Sequence, residues 1–133
     1  MAERRAPGHM ETLLIVGVAG FIGANVRYLV GTWAAAQFGT TMPWGTLLIN
    51  VTGSTLLALF LAWAGNRTGL DPRLRLGIAV GFFGAYTTFS TFATDSAALL
   101  NSGAWLKAVV NILIENGLCV GGALIGFALG SHL

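Results

Sequence analysis

"GAYTTFSTFATD", Gly84 to Asp95, lies inside Leu74 to Leu100, a run otherwise apolar enough to cross a bilayer, yet it carries five serine and threonine hydroxyls and two phenylalanines. A run of that length reads as a transmembrane helix, because lipid offers backbone polar groups no partner but each other. On such a helix Phe89 and Phe92 share one face, while Thr88, Thr91 and Asp95 line another at i, i+3 and i+7. Upstream, Gly81, Gly84 and the β-branched pair Thr87 and Thr88 weaken regular helix, so the sequence predicts a break near the middle. A break frees carbonyls of residues such as Gly84 and Thr87, and freed carbonyls in a membrane can hold a cation. The blander alternative has each hydroxyl bonding back to its own helix and both rings filling core. The density of hydroxyls weighs against it.

The rest of the chain agrees about the solvent. Of 133 residues 55% are hydrophobic and only 9% charged, with a mean hydropathy of +0.75, far from the soluble balance of about a quarter charged. At about 20 residues per crossing there is room for one domain of four helices and none for a soluble catalytic domain, so an enzyme is excluded. The net charge of +2 is spread over ends and loops, with no basic run for nucleic acid. The one cysteine, Cys119, reads as packing.

Met1 to Glu11 is polar, and its Gly8-His9-Met10 resembles a cloning remnant, so residues 1–11 are set aside and 12–133 taken as the four-helix transmembrane domain. The expected spans are Thr12 to Val30, Trp44 to Trp63, Leu74 to Leu100 and Ala108 to Leu129. Gly31 to Pro43, "GNRTGLDPR" and Asn101 to Lys107 are the expected connections. Glycines recur at helical spacing: Gly17, Gly20 and Gly23, then Gly77 and Gly81, then Gly117 and Gly121, then Gly122, Gly126 and Gly130. Such ridges let backbones approach, within the bundle or between subunits. Four helices this tightly packed fill their own centre, so an ion path belongs between protomers and an oligomer is expected. Arg4, Arg5, Arg67, Arg73 and Arg75 would lie on one side of the membrane, and Arg27 and Lys107 on the other. Without the set-aside segment the vote is three against two, compatible with insertion in both orientations.

Polar residues inside spans are costly in hydrocarbon and so carry function or pairing. Arg27 in "GANVRY" can snorkel, or pair with Asp95 or a helix C-terminus. Asn50 in "LLINVTGS" brings two donors and an acceptor to mid-helix, near Thr52 and Ser54, and serves either a solute or helix association. Hydroxyls, an amide and the positive edges of phenyl rings can together replace the hydration of a small anion without trapping it on a fixed charge. Spacing stops at a small solute hungry for hydrogen bonds.

"GANVRY", "WGTLLINVTGS" and "GFFGAYTTFSTF" resemble the small fluoride channels of the CrcB/Fluc family, over essentially the whole chain from Thr12. The resemblance implies an all-α membrane protein of the bacterial inner membrane, with the third of its four helices broken, assembled as an antiparallel dual-topology homodimer. It implies a passive, fluoride-selective channel that exports fluoride from the cytoplasm and protects against its toxicity, built around a central structural sodium ion shared by two protomers. Carried over by position, Asn50, Phe89, Ser90, Thr91 and Phe92 would form the fluoride pathway. Gly84 and Thr87 would give carbonyls to sodium, and Arg27 would be the basic residue of the first helix.

The fourth span departs from the pattern. Asn111, Glu115 and Cys119 share one face, with Asn116 beside them, where hydroxyl-bearing residues are expected. An ionised Glu115 would repel an anion; a neutral carboxyl could donate to it, and an aqueous vestibule could also house the side chain. Arg27, Asp95, Asn111 and Glu115 are therefore pore or vestibule candidates. One rival is a small proton-coupled multidrug or cation antiporter with Glu115 or Asp95 as carrier, although such transporters resemble one another in a first-helix glutamate and this first span embeds only Arg27. Another is a non-transporting assembly subunit, in which the hydroxyl track only packs.

Overall fold

The computed structural model describes residues 8–133; residues 1–7, with Arg4 and Arg5 of the set-aside segment, lie outside them. Every element among the described residues is helical: α1 (His9–Phe38), α2 (Trp44–Gly65), α3 (Pro72–Leu76), a π-helical segment (Gly77–Phe83), α4 (Gly84–Tyr86), α5 (Phe89–Asn101) and α6 (Trp105–Ser131). With α3 to α5 counted as one span, Pro72–Asn101, four helices are long and apolar enough to cross a membrane. The all-α, four-span architecture expected from composition is present.

Boundaries differ from the sequence reading in instructive places. His9 to Glu11, set aside above, are the first residues of α1, and Glu11 pairs with Arg73 at 3.0 Å. The loop expected from Gly31 shrinks to residues 39–43. Gly31 does not stop the helix, because "WAAAQF" after it is made largely of good helix formers. It serves close approach instead, since a Cβ on Gly45 would lie 3.1 Å from the Gly31 Cα. The stop is Gly39, at φ 75°, whose amide bonds to the Ala35 carbonyl. Likewise Gly103, at φ 80°, confines the last turn to residues 102–104, so Trp105 to Lys107 are helix rather than loop. Asp71 begins the third span by accepting from the Arg73 amide at 2.8 Å, with Pro72 at the first helical position.

The largest helix pairing is α2 on α6. Gly122, Gly126 and Gly130 form the ridge of α6 that meets α2, so this row serves packing within the protomer. A Cβ on Gly126 would run into the Thr55 carbonyl, whereas one on Gly117 or Gly121 would meet nothing within 4 Å. The π-helical segment lies along α1, where a Cβ on Gly81 would come 2.7 Å from the Ala19 Cβ. The buried core is small, centred on Ile49, Phe83 and Tyr86. Leu13 and Phe21 of α1 and Leu113, Val120 and Leu124 of α6 stay exposed, as a chain surrounded by hydrocarbon or by a second copy requires.

Candidate functional site

The third span breaks at Thr87 (φ −78°, ψ 156°) and Thr88 (φ −152°, ψ 109°), both extended. Asn50, in the middle of α2, accounts for the break. Its Oδ1 accepts the Thr88 amide at 2.8 Å, and its Nδ2 donates to the Thr88 carbonyl at 3.0 Å. The amide that would close a helical turn on the Gly84 carbonyl is thereby diverted. One step on, Thr88 Oγ1 caps α5 by accepting the Thr91 amide at 3.2 Å, which takes from the Thr87 carbonyl its own helical donor. Gly84 and Thr87 therefore each present a carbonyl released from the helix, the oxygen chemistry a hard cation such as sodium takes. No trio of His, Cys, Asp or Glu is placed to hold a metal among the described residues.

Asn50 Nδ2 donates a second time, to Glu115 Oε1 at 2.5 Å. Both amide hydrogens are used, so the side chain ties α2, the break and α6 together. Glu115 is buried, and its Oε2 has no hydrogen-bond partner. Asn111, one turn earlier, is also buried; it donates to Ser96 Oγ at 3.1 Å, and Ser96 donates to the Phe92 carbonyl at 2.8 Å. Glu115 opens on a cavity of about 230 Å³ that Asn50, Ser54, Thr88, Phe89 and Phe92 also line.

The two rings divide their roles. Their centroids are 5.5 Å apart, but Phe92 is 8% exposed and Phe89 76%. Phe92 packs within the helices of this chain, and Phe89 lies on its surface. Thr88 Oγ1 lies 3.2 Å from Ser90 Oγ and 2.9 Å from Thr91 Oγ1, a linked hydroxyl cluster. The blander reading holds for Thr52, Thr94 and Ser96, which bond back to carbonyls of their own helices. A second cavity, about 740 Å³, is lined by Arg27, Thr46, Thr91 and Asp95, and Thr88 lines both cavities. Thr88, the centre of the hydroxyl cluster, is thus part of the wall of each.

In that outer cavity Asp95 Oδ2 accepts from Thr46 at 2.7 Å. It does not pair with Arg27; the one ion pair among the described residues is Arg73 with Glu11. Thr46, Ser96 and Tyr86, whose phenol meets Thr52 Oγ1 at 2.9 Å, were not singled out from sequence. Thr46 stands four residues before Asn50, one helical turn away on the same face, and that spacing was the available signal.

Residues 14–127 match the family described as CrcB-like protein, Camphor Resistance (CrcB). The chain belongs to the CrcB family. Similar curated relatives carry the name "Fluoride-specific ion channel FluC". One, from Koribacter versatilis (strain Ellin345), is 46% identical over 116 residues, 87% of this chain and 92% of the relative. Another, from Sulfurihydrogenibium sp. (strain YO3AOP1), is 40% identical over 124 residues, 93% of this chain and 100% of the relative. A third, from Rhizobium meliloti (strain 1021), is 38% identical over 120 residues, 90% and 96% of the two chains. Four apolar helices and membership of the CrcB family make the chain a multi-pass membrane protein.

Proposed function

We propose that this protein is a passive, fluoride-selective channel that lets fluoride leave the cytoplasm across the bacterial inner membrane and so protects the cell from it. The observation that carries this is the pair of cavities on either side of Thr88, one lined by Thr46, Thr88 and Thr91 and the other by Asn50, Ser54, Phe89 and Phe92. The name of the relatives supplies the ion. Fluoride is small and strongly hydrated, and a path of Ser90, Thr91 and the edges of Phe89 and Phe92 replaces water with many weak donors. Asn50 shapes this path by holding the break, and Arg27 lines the outer cavity, where a positive charge draws anions in.

The channel works as an antiparallel homodimer. Support comes from Phe89, a pathway ring left exposed by its own protomer, and from the nearly balanced charge of the loops. Gly84 and Thr87 of two copies would hold sodium through four carbonyls, a fixed positive charge bracing the two broken helices. The antiporter reading has no support in the relatives, which are named as channels. Purified protein in lipid vesicles tests the proposal: fluoride should leave down its own gradient with no proton gradient, and chloride should stay. Flux that requires a proton gradient, or that passes chloride equally, refutes it.

A further inference from the structure

Glu115 stands where an anion path tolerates a carboxylate least. Its side chain is 3% exposed, lines the inner cavity with Phe89 and Phe92, and leaves Oε2 without a hydrogen-bond partner. The elements around it supply no counter-charge. α2 contains no ionisable residue, α5 contributes only Asp95, itself an acid, and α4 contributes only Tyr86, whose phenol is engaged with Thr52. On α6 itself the ionisable residues are Cys119, one turn on, and Lys107, exposed and about 12 Å back along the helix axis. A carboxylate at this place would be an unpaired charge out of water, a far costlier state than the neutral acid. Asn50 also distinguishes the two oxygens. Its Nδ2 donates to Oε1, which is therefore the acceptor, and leaves Oε2 as the oxygen able to carry a proton.

We propose that Glu115 serves as a neutral acid whose Oε2–H donates to the anion in the inner cavity, so that passage of fluoride depends on that proton. The inference rests on the channel reading and adds to it a residue that sets when the channel conducts. In this state the carboxyl does the work of a serine or threonine hydroxyl, and the proton stays on Oε2 as the anion passes. Loss of the proton exchanges a donor for a negative charge in contact with the path, which repels fluoride.

The test is fluoride efflux from vesicles of purified protein, with equal pH inside and out, from about pH 5 to about pH 9, the range over which free and buried carboxyls lose their protons. Leakage through protein-free vesicles is subtracted at each pH, since undissociated hydrogen fluoride crosses lipid by itself. Wild-type flux should fall as pH rises, by up to about tenfold per unit once the acid is mostly ionised. Glu115→Gln keeps an N–H donor and an acceptor for Asn50 and should give a flat profile; Glu115→Ala should be flat and several-fold lower. Identical pH profiles for wild type and Glu115→Gln overturn the proposal and leave the channel reading standing. Absence of fluoride flux from wild type at every pH overturns both. Independently of folding in the variants, infrared spectra of the wild type at neutral pH should contain the carbonyl band of a buried protonated acid, and a spectrum of ionised carboxylates alone also overturns the proposal.

Discussion

Gly126→Ala tests whether α2 and α6 meet backbone to backbone. The added methyl would run into the Thr55 carbonyl oxygen and lie 2.9 Å from the Leu59 amide nitrogen and 3.1 Å from the Ala58 Cβ. Two of these obstructions are main chain and cannot turn aside as a flexible side chain would, so the helices must separate along their largest shared surface. Overpacking of this kind costs about 1–3 kcal/mol, with the upper end appropriate to a main-chain obstruction, and alanine returns about 1 kcal/mol of helix propensity. The net loss is about 2 kcal/mol, up to about 30-fold in the folding equilibrium. Gly121→Ala, on the same helix with nothing within 4 Å of the new methyl, is the matched control and should equal or exceed wild type in stability. Gly122→Ala should fall between them, because its obstruction is the Thr55 hydroxyl, a side-chain group. Titration of the purified protein from mild detergent into a denaturing one, followed by helical circular dichroism, gives the three midpoints. A Gly126→Ala midpoint at or above wild type, or a Gly121→Ala loss as large as that of Gly126→Ala, refutes the packing described.

Phe92→Ala removes a buried ring and should cost about 3–5 kcal/mol of stability, while Phe89→Ala leaves protomer packing nearly unchanged and lowers fluoride flux; unfolding midpoints and vesicle flux separate the two, and equal destabilisation contradicts the division of roles. Asn50→Leu keeps the volume but leaves the Thr88 amide and Glu115 without their partner, so stability should fall by about 2–5 kcal/mol and flux should be lost; a variant as stable as wild type would show that the break does not depend on Asn50. Thr68→Cys in a Cys119→Ser background should react with a membrane-impermeant thiol reagent from both faces of intact vesicles or cells, and modification from one face alone rules out dual topology.

The sequence made the solvent and the spans legible because hydropathy in a membrane protein is a one-dimensional signal: a stretch is either apolar for about 20 residues or it is not. The break was legible for a related reason, since Gly84, Thr87 and Thr88 weaken helix through their own covalent structure. Ends were less legible. Gly31 carries the residue type of a stop and serves instead as a place where α2 comes close, a distinction set by Gly45 on another helix. The facing of the α6 glycines was illegible for the same reason: two registers of small residues run along one helix, and the partner surface decides which is used. In the site, a pair with Asp95 was one of three roles open to Arg27, and the residue that bonds to Asp95 is Thr46, a neutral residue forty-nine positions away in sequence. Glu115 stood out at once as a departure, yet only the structure places its Oε1 on Asn50, leaves its Oε2 buried without a partner and sets the residue in the wall of the cavity.

The geometry of Asn50 bears on how a membrane helix can be broken at all. Two extended residues in mid-bilayer release backbone donors and acceptors that no water is present to satisfy, and each buried orphan costs about 1–3 kcal/mol. An asparagine amide carries one donor and one acceptor on a single planar group, the same pair that a peptide presents, so Asn50 can take both the amide and the carbonyl of Thr88 at once. The diverted amide is also what releases the Gly84 carbonyl. The second Nδ2 hydrogen of Asn50 goes to Glu115 Oε1, so the side-chain amide that holds the break also orients the acid beside it. With both hydrogens committed, Asn50 has no amide hydrogen left for any further acceptor. The helix break, the released Gly84 carbonyl and the buried Glu115 are thus parts of one hydrogen-bond arrangement, and a change at Asn50 disturbs all three together.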